Sequence, residues 1–189
     1  YEMLGGQHKL WNYFNNNSVN ISEINMPKFG NQNGATINDN FFVLGSFFNH
    51  IYADIIANYF DPKKKEILVD LGGGYGKLAY YVLKKRNIVF IDFDIPETLV
   101  LAAYYLSKCF PEKKNFFYGE SIFSSQSVYK FDMFFLPSWE IEKLEENQIQ
   151  FTINKNSLGE MKPESAKNYL NHIFRISKYF FSMNHETFR

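Results

Sequence analysis

Apolar and polar positions along this chain fall into alternating strand-like runs and helical stripes. From Ile67 to Leu71 every position but Asp70 is apolar, the near-continuous hydrophobicity of a strand buried on both faces of a parallel sheet. Glycines at 72, 73, 74 and 76 follow, and Leu78, Val82 and Leu83 then recur at helical spacing. Residues 88–93 repeat the strand pattern. Leu99, Ala102, Ala103, Leu106 and Cys109 give one apolar face to a helix over 96–109, opened by Pro96 and closed before Pro111. Residues 116–118 and 131–136 are both strand-like, and 131–136 is taken as the third core strand. Residues 150–154 form the fourth, a helix over 163–177 begins at Pro163, and 179–184 form the fifth. Strand and helix in alternation predict an α/β fold, a Rossmann-like, doubly wound, mostly parallel sheet.

Ahead of this core, Phe41, Leu44, Phe47, Phe48, Ile51 and Ile55 repeat at three and four. They predict a leading amphipathic helix over 40–60, with Asn38 or Asp39 as N-cap and Pro62 just past its end. The stretch is as long as a membrane span, but Asn49, His50, Asp54 and Asn58 inside it would be costly in lipid, so no span is expected. Packed on the sheet, it would bring Asn49 or His50 toward the mouth of a site, although a lone histidine on such a face is more often structural. Residues 1–39, rich in Asn and Gly, read as an N-terminal arm of loops that Trp11 and Tyr13 could dock. The expected organisation is therefore this arm and one domain over 40–189.

Composition narrows the partners. Twenty basic residues balance twenty acidic ones, and positive charge is concentrated only at 63–65 and 84–86. Nucleic acid is not an expected partner, since backbone binding needs dense positive charge. The 19% aromatic content is read first as core. A single cysteine, Cys109, leaves no internal disulfide and is compatible with a reducing cytoplasm. No cluster has metal-ligand spacing, so no metal is expected. The first residue is Tyr1, with no signal pattern after it, and a fragment of a longer protein is the expectation.

The candidate chemistry centres on the glycine turn. A dinucleotide fingerprint requires Gly-x-Gly-x-x-Gly. Counted from Gly72 its third glycine falls on Lys77, and counted from Gly74 on Ala79, which fits only as the tolerated substitute. The alternating pattern Asp70-x-Gly72-x-Gly74-x-Gly76 instead resembles motif I of the class I S-adenosylmethionine-dependent methyltransferases. A cofactor bearing ammonium and sulfonium cations but no phosphate suits a carboxylate at Asp70. Asp92 and Asp94 stand at the end of the second strand, where a carboxylate can accept from both ribose hydroxyls. Asp94 is the choice, a role compatible with capping the helix at Pro96. Trp139, after the third strand, could stack on adenine or plug the space between a short helix and the sheet.

Two further blocks narrow the resemblance. Residues 94–111, Asp-Ile-Pro-Glu-Thr and an aromatic-rich helix, resemble the second block of a bacterial family of sugar O-methyltransferases, with Ile95 in place of the usual Leu. Asn154, Ser157, Glu160 and Met161 match that family's Asn-x-x-Ser-x-x-Glu-Met block. The similarity covers about residues 40–189. It implies S-adenosylmethionine as cofactor, held by Asp70, Gly72, Gly73, Gly74, Gly76, Asp94, Trp139 and Asn154. The acceptor it implies is a hydroxyl of a sugar or nucleotide sugar, placed by Ser157 and Glu160. Glu160 or His185 would take the proton, unless Ser157 and Glu160 merely shape the loop. Class I methyltransferases usually carry two more strands, so C-terminal strands are expected to be missing. The alternatives are a methyltransferase-like module that binds without turnover and, in another class, an NAD(P)-dependent oxidoreductase. Self-association into a homo-oligomer is left open.

Overall fold

The computed structural model describes residues 2–185. In chain order its elements are α1 (Glu2–Phe14), β1 (Gly34–Ile37), β2 (Asn40–Val43), α2 (Ser46–Ala57), β3 (Ile67–Leu71), α3 (Lys77–Lys85) and β4 (Val89–Asp94). There follow α4 (Pro96–Cys109), β5 (Asn115–Phe117), β6 (Met133–Pro137), β7 (Ile149–Lys155), α5 (Pro163–Ile176) and β8 (Ser177–Met183). Six strands form one sheet in the order β5-β6-β4-β3-β7-β8, and every neighbouring pair in it is parallel.

The alternation of side chains along the strands divides the core in two. Leu68, Phe90 and Phe151 face a cluster shared with α2, α3 and α4, while Val69, Ile91 and Phe134 face a cluster shared with Ile173 and Ile176 of α5. Helices on both faces explain why β3, β4 and β6 are buried almost throughout. From β3 the chain winds outward through β4 to β6, then returns to the other side of β3 as β7. The crevice at that reversal, above the carboxyl ends of β3 and β7, is where open α/β sheets bind ligands.

The N-terminal region corrects two expectations. Residues 1–39 are not simply loops: α1 is helical, and Trp11 is 1% exposed, with Phe47 and His50 of α2 around its ring. The leading helix does not span 40–60. It runs from Ser46 to Ala57, and residues 40–43 instead pair antiparallel with β1. The proposed caps Asn38 (φ 48°) and Asp39 (φ 63°) are the two turn residues of this hairpin. Asn and Asp tolerate left-handed backbone, which two-residue hairpin turns require. Gly45, at φ 87°, then redirects the chain into α2. A sixth parallel strand, β5, also lies outside β6, so the 116–118 segment adds to the sheet rather than competing with 131–136. No helix among the described residues is long and apolar enough to cross a membrane.

Candidate functional site

The glycine turn links β3 to α3 across the crevice. Gly72 N–H donates to Phe93 O at 2.8 Å, prolonging the β3–β4 pairing by one step. Gly72, Gly74 and Gly76 have φ of 77°, 63° and 89°, and a Cβ on Gly76 would lie 2.8 Å from Leu106. Gly73 is required by space instead, because its Cβ would lie 2.9 Å from Asp92 Oδ1. The turn therefore runs close against the carboxylates behind it. Asp94, half-buried at the end of β4, accepts from Gly74 N–H at 3.1 Å and from Ile95 N–H at 2.7 Å. It fixes the turn while each oxygen keeps acceptor capacity.

Three aspartates converge here. Asp70 and Asp92 are register partners on β3 and β4, 2% and 0% exposed. Asp70 Oδ1 and both Asp92 carboxyl oxygens find no hydrogen-bond partner among the described residues. Burial pushes Asp70 up to about 7, with Lys155 opposing the shift and Asp94 adding to it. Burial also raises Asp92 well above the carboxylate range, and the neighbouring Asp70 and Asp94 reinforce this against the nearby Gly73 amide, which lies outside good hydrogen-bonding geometry. Asp94 is raised by burial as well, against its two backbone donors.

Asp70 opens into a cleft of about 240 Å³ that Asn49, Gly73, Tyr75, Lys77 and Lys155 also line. Asn49 is 1% exposed, and its Oδ1 likewise lacks a donor among the described residues. Lys155 is lowered by burial and held up by Asp70; Lys77 is lowered by burial and by Lys155. The cleft thus offers unsatisfied buried oxygens beside two half-buried ammonium groups, a setting for a ligand with both an ammonium and a carboxylate. On the far side of Gly72 lies a recess of about 210 Å³ lined by Phe93, Asp94, Ile95, Ser138, Ser157 and Glu160. Beyond Pro96 an apolar recess of about 240 Å³ lies between Leu99, Tyr118 and Pro137.

The block after β7 closes the crevice floor. Asn154 Nδ2 donates to Leu71 O at 2.8 Å and to Ser157 Oγ, and its Oδ1 accepts from Leu158 N–H at 3.2 Å and Asn184 Nδ2 at 2.9 Å. Ser157 Oγ donates to Leu71 O at 3.0 Å. Asn154 is completely buried and its amide is fully engaged in tying β3, β7 and the end of β8 together. As a cofactor contact it is therefore corrected: it shapes the floor. Trp139 is 52% exposed and edge-on to Tyr118, which lines the apolar recess beyond Pro96, while neighbouring Ser138 lines the recess beside Asp94. Glu160 and His185 are both exposed, and a Cβ on Gly159 would lie 3.2 Å from His185 O, so the two candidate bases flank one rim. His50 is structural: it sits buried between Trp11, Asp54 and Lys85.

Asn49 was one of two candidates on its helix, whereas Lys77 and Lys155 carry the signal that sequence reasoning missed. A lysine at the first position of α3 opposes the helix dipole, and such an unfavourable placement points to a ligand. Lys155 directly follows Asn154 at a parallel strand's carboxyl end, the ligand-binding edge of this architecture. No group of His, Cys, Asp and Glu among the described residues is arranged to hold a metal ion.

No protein-family model matches the chain, and no curated protein matches it in sequence. Solved structures do match in fold. A protein from Pyrococcus horikoshii provisionally assigned as an RNA methyltransferase aligns with a TM-score of 0.51 at 14% identity, over 88% of this chain and 72% of its own. A protein from Galdieria sulphuraria provisionally assigned as a sarcosine dimethylglycine methyltransferase aligns with a TM-score of 0.50 at 13% identity, over 77% and 49%. Mitomycin 7-O-methyltransferase MmcR aligns with a TM-score of 0.45 at 18% identity, over 70% and 36%. The chain thus spans about half or less of the length of two of these three. The fold is the Rossmann-like α/β fold of the class I S-adenosylmethionine-dependent methyltransferases.

Proposed function

We propose that this protein is an S-adenosylmethionine-dependent O-methyltransferase whose acceptor is a hydroxyl of a sugar or nucleotide sugar. The observation that carries the cofactor reading is the cleft over β3. Asn49 Oδ1 and Asp70 Oδ1 are buried acceptors without donors, and Lys77 and Lys155 stand beside them. An amino-acid moiety answers both needs, its ammonium meeting Asp70 and its carboxylate meeting the lysines. Asp94, at the end of β4, is the residue we assign to the ribose hydroxyls, and the apolar recess between Leu99, Tyr118 and Pro137 suits an adenine ring. When bound, the cofactor supplies an electrophilic methyl group. The chain's part is to align an acceptor hydroxyl in line with it, exclude water and remove the hydroxyl proton, and positioning contributes more than the base. Glu160 and His185, on the same rim, are the candidate proton acceptors, with Ser157 shaping the floor. The sugar acceptor rests on the resemblance of residues 94–111 and 154–161.

Calorimetric titration with S-adenosylmethionine, S-adenosylhomocysteine and NAD tests the reading, with Asp94→Ala as comparator. Binding of the first two, weakened at least about ten-fold in the variant, is expected from loss of hydrogen bonds to a charged group. Binding of NAD alone, or of none by folded protein, would overturn it. Methylation of a nucleotide sugar that survives both Glu160→Gln and His185→Ala would remove both from the role of base.

A further inference from the structure

A second groove, of about 370 Å³, lies between the segment carrying Phe29 and Gln32 and the flank of α4, with Leu101, Tyr104 and Tyr105 on its helix side. Tyr75 of the glycine turn closes one end, its ring edge-on to Tyr105 at 5.3 Å. The walls are aromatic and aliphatic, yet two polar atoms in them are unsatisfied. Tyr105 is 2% exposed, and its hydroxyl has no partner at hydrogen-bonding geometry among the described residues; only the weakly bonding Cys109 thiol lies beside it. Gln32 Oε1 is also buried without a donor. An unmade bond at a buried polar atom costs stability, and two of them on one groove mark a place where a ligand completes the structure.

The geometry points to this groove as a binding site for a hydroxylated aromatic ring, adjoining the cleft over β3 at their shared wall, Tyr75. The flat ring fits between Phe29, Leu101 and Tyr104. A phenolic hydroxyl donates to Gln32 Oε1, which can only accept, and accepts from the Tyr105 hydroxyl. A free sugar matches less well, because most of its hydroxyls would lose water against apolar walls without gaining partners. The two orphan atoms sit at the groove wall rather than in open space, so binding requires a small outward turn of Gln32. Gly30, in left-handed backbone at φ 77°, lies two residues before it.

The test needs neither cofactor nor turnover, so its outcome is independent of the methyltransferase reading. Heteronuclear NMR titration of the purified chain compares 4-methylphenol with 4-methylanisole, which keeps the ring and lacks the donor. The expected result is amide shifts centred on Gly30, Tyr75 and Leu101, and a preference for the phenol of about five-fold, the scale of one buried hydrogen bond. Gln32→Leu should erase the preference while the ether's binding is kept, and Tyr105→Phe, which removes the donor to either ligand's oxygen, should weaken both ligands and leave the preference. Tyr105→Phe removes a hydroxyl with only the weakly bonding Cys109 thiol beside it and is expected to fold normally. Absence of binding up to the phenol's solubility, shifts centred elsewhere, a preference that persists in Gln32→Leu, or affinities for both ligands that are unchanged in Tyr105→Phe would overturn the proposal.

Discussion

Asp70 stores a conflict between stability and binding. Its carboxyl, pushed up to about 7 by burial, is bound to a proton in the folded chain at pH values where the unfolded chain has released it. Stability from this group is full below the unfolded pKa of about 4 and is lost as pH rises through about 7, a change on the order of 4 kcal/mol. Asp54 and Asp132 work in the opposite direction: burial raises both, but the bonds of Asp54 to His50 and Lys85, and those of Asp132 to Lys65 and the Lys114 amide, outweigh it and hold both below the ordinary range. Their contribution is present above the unfolded pKa and is lost in acid. Asp70→Asn should therefore raise the melting temperature measured at pH 8 by more than that measured at pH 5, and leave it little changed only near pH 3, while weakening S-adenosylmethionine binding. A variant no more stable at pH 8 than the parent would show that Asp70 is not strained in this way. Gly76 poses a simpler steric demand. Gly76→Ala places a Cβ against Leu106 in a left-handed backbone, and chemical denaturation should show a loss of about 2 to 4 kcal/mol.

Among the elements, those whose order is local could be read in advance and those held by distant contacts could not. Helix α4 begins at Pro96 and ends at Cys109 as its prolines and apolar face require. Strands β3 and β6 are short, almost wholly apolar runs that only a doubly covered sheet would hold. Helix α1 contains Gly5 and Gly6 and has weak intrinsic propensity; its order comes from Trp11 docking on α2, which no local window contains. The hairpin ahead of α2 was hidden because its apolar residues continue the helical spacing of the next element. At the site, Asp70, the glycines and Asp94 were readable because they sit on consecutive strand ends. The convergence of Asn49, Lys77 and Lys155 depends on three separate elements packing together. Trp11→Ala should release α1, removing about 3 kcal/mol or more of packing. Hydrogen exchange would then show amides 5–14 exchanging fast while those of β3 and β4 keep their protection; unchanged protection in α1 would mean that the helix is held by something else.

At the scale of the whole molecule, the crevice is built from parts that the sheet alone does not fix. Asn154 ties β3 to β7 and to the end of β8, Asp94 ties β4 to the glycine turn, and Asn49 enters from α2 on the helical face. A ligand that bridges these parts binds the folded chain and not the unfolded one, so its binding free energy appears as stability. At a concentration about one hundred times its dissociation constant, S-adenosylhomocysteine should add roughly 2.7 kcal/mol. In a domain of this size that raises the melting temperature by about 5 to 10 °C. The shift should grow between pH 6 and pH 8, because Asp70 must lose its proton to meet the ligand's ammonium and burial holds that proton on up to about 7. Lys77→Met and Lys155→Met together should abolish the shift by removing the partners of the carboxylate. A shift equal at both pH values, or one kept by the double variant, would place the ligand elsewhere than over β3.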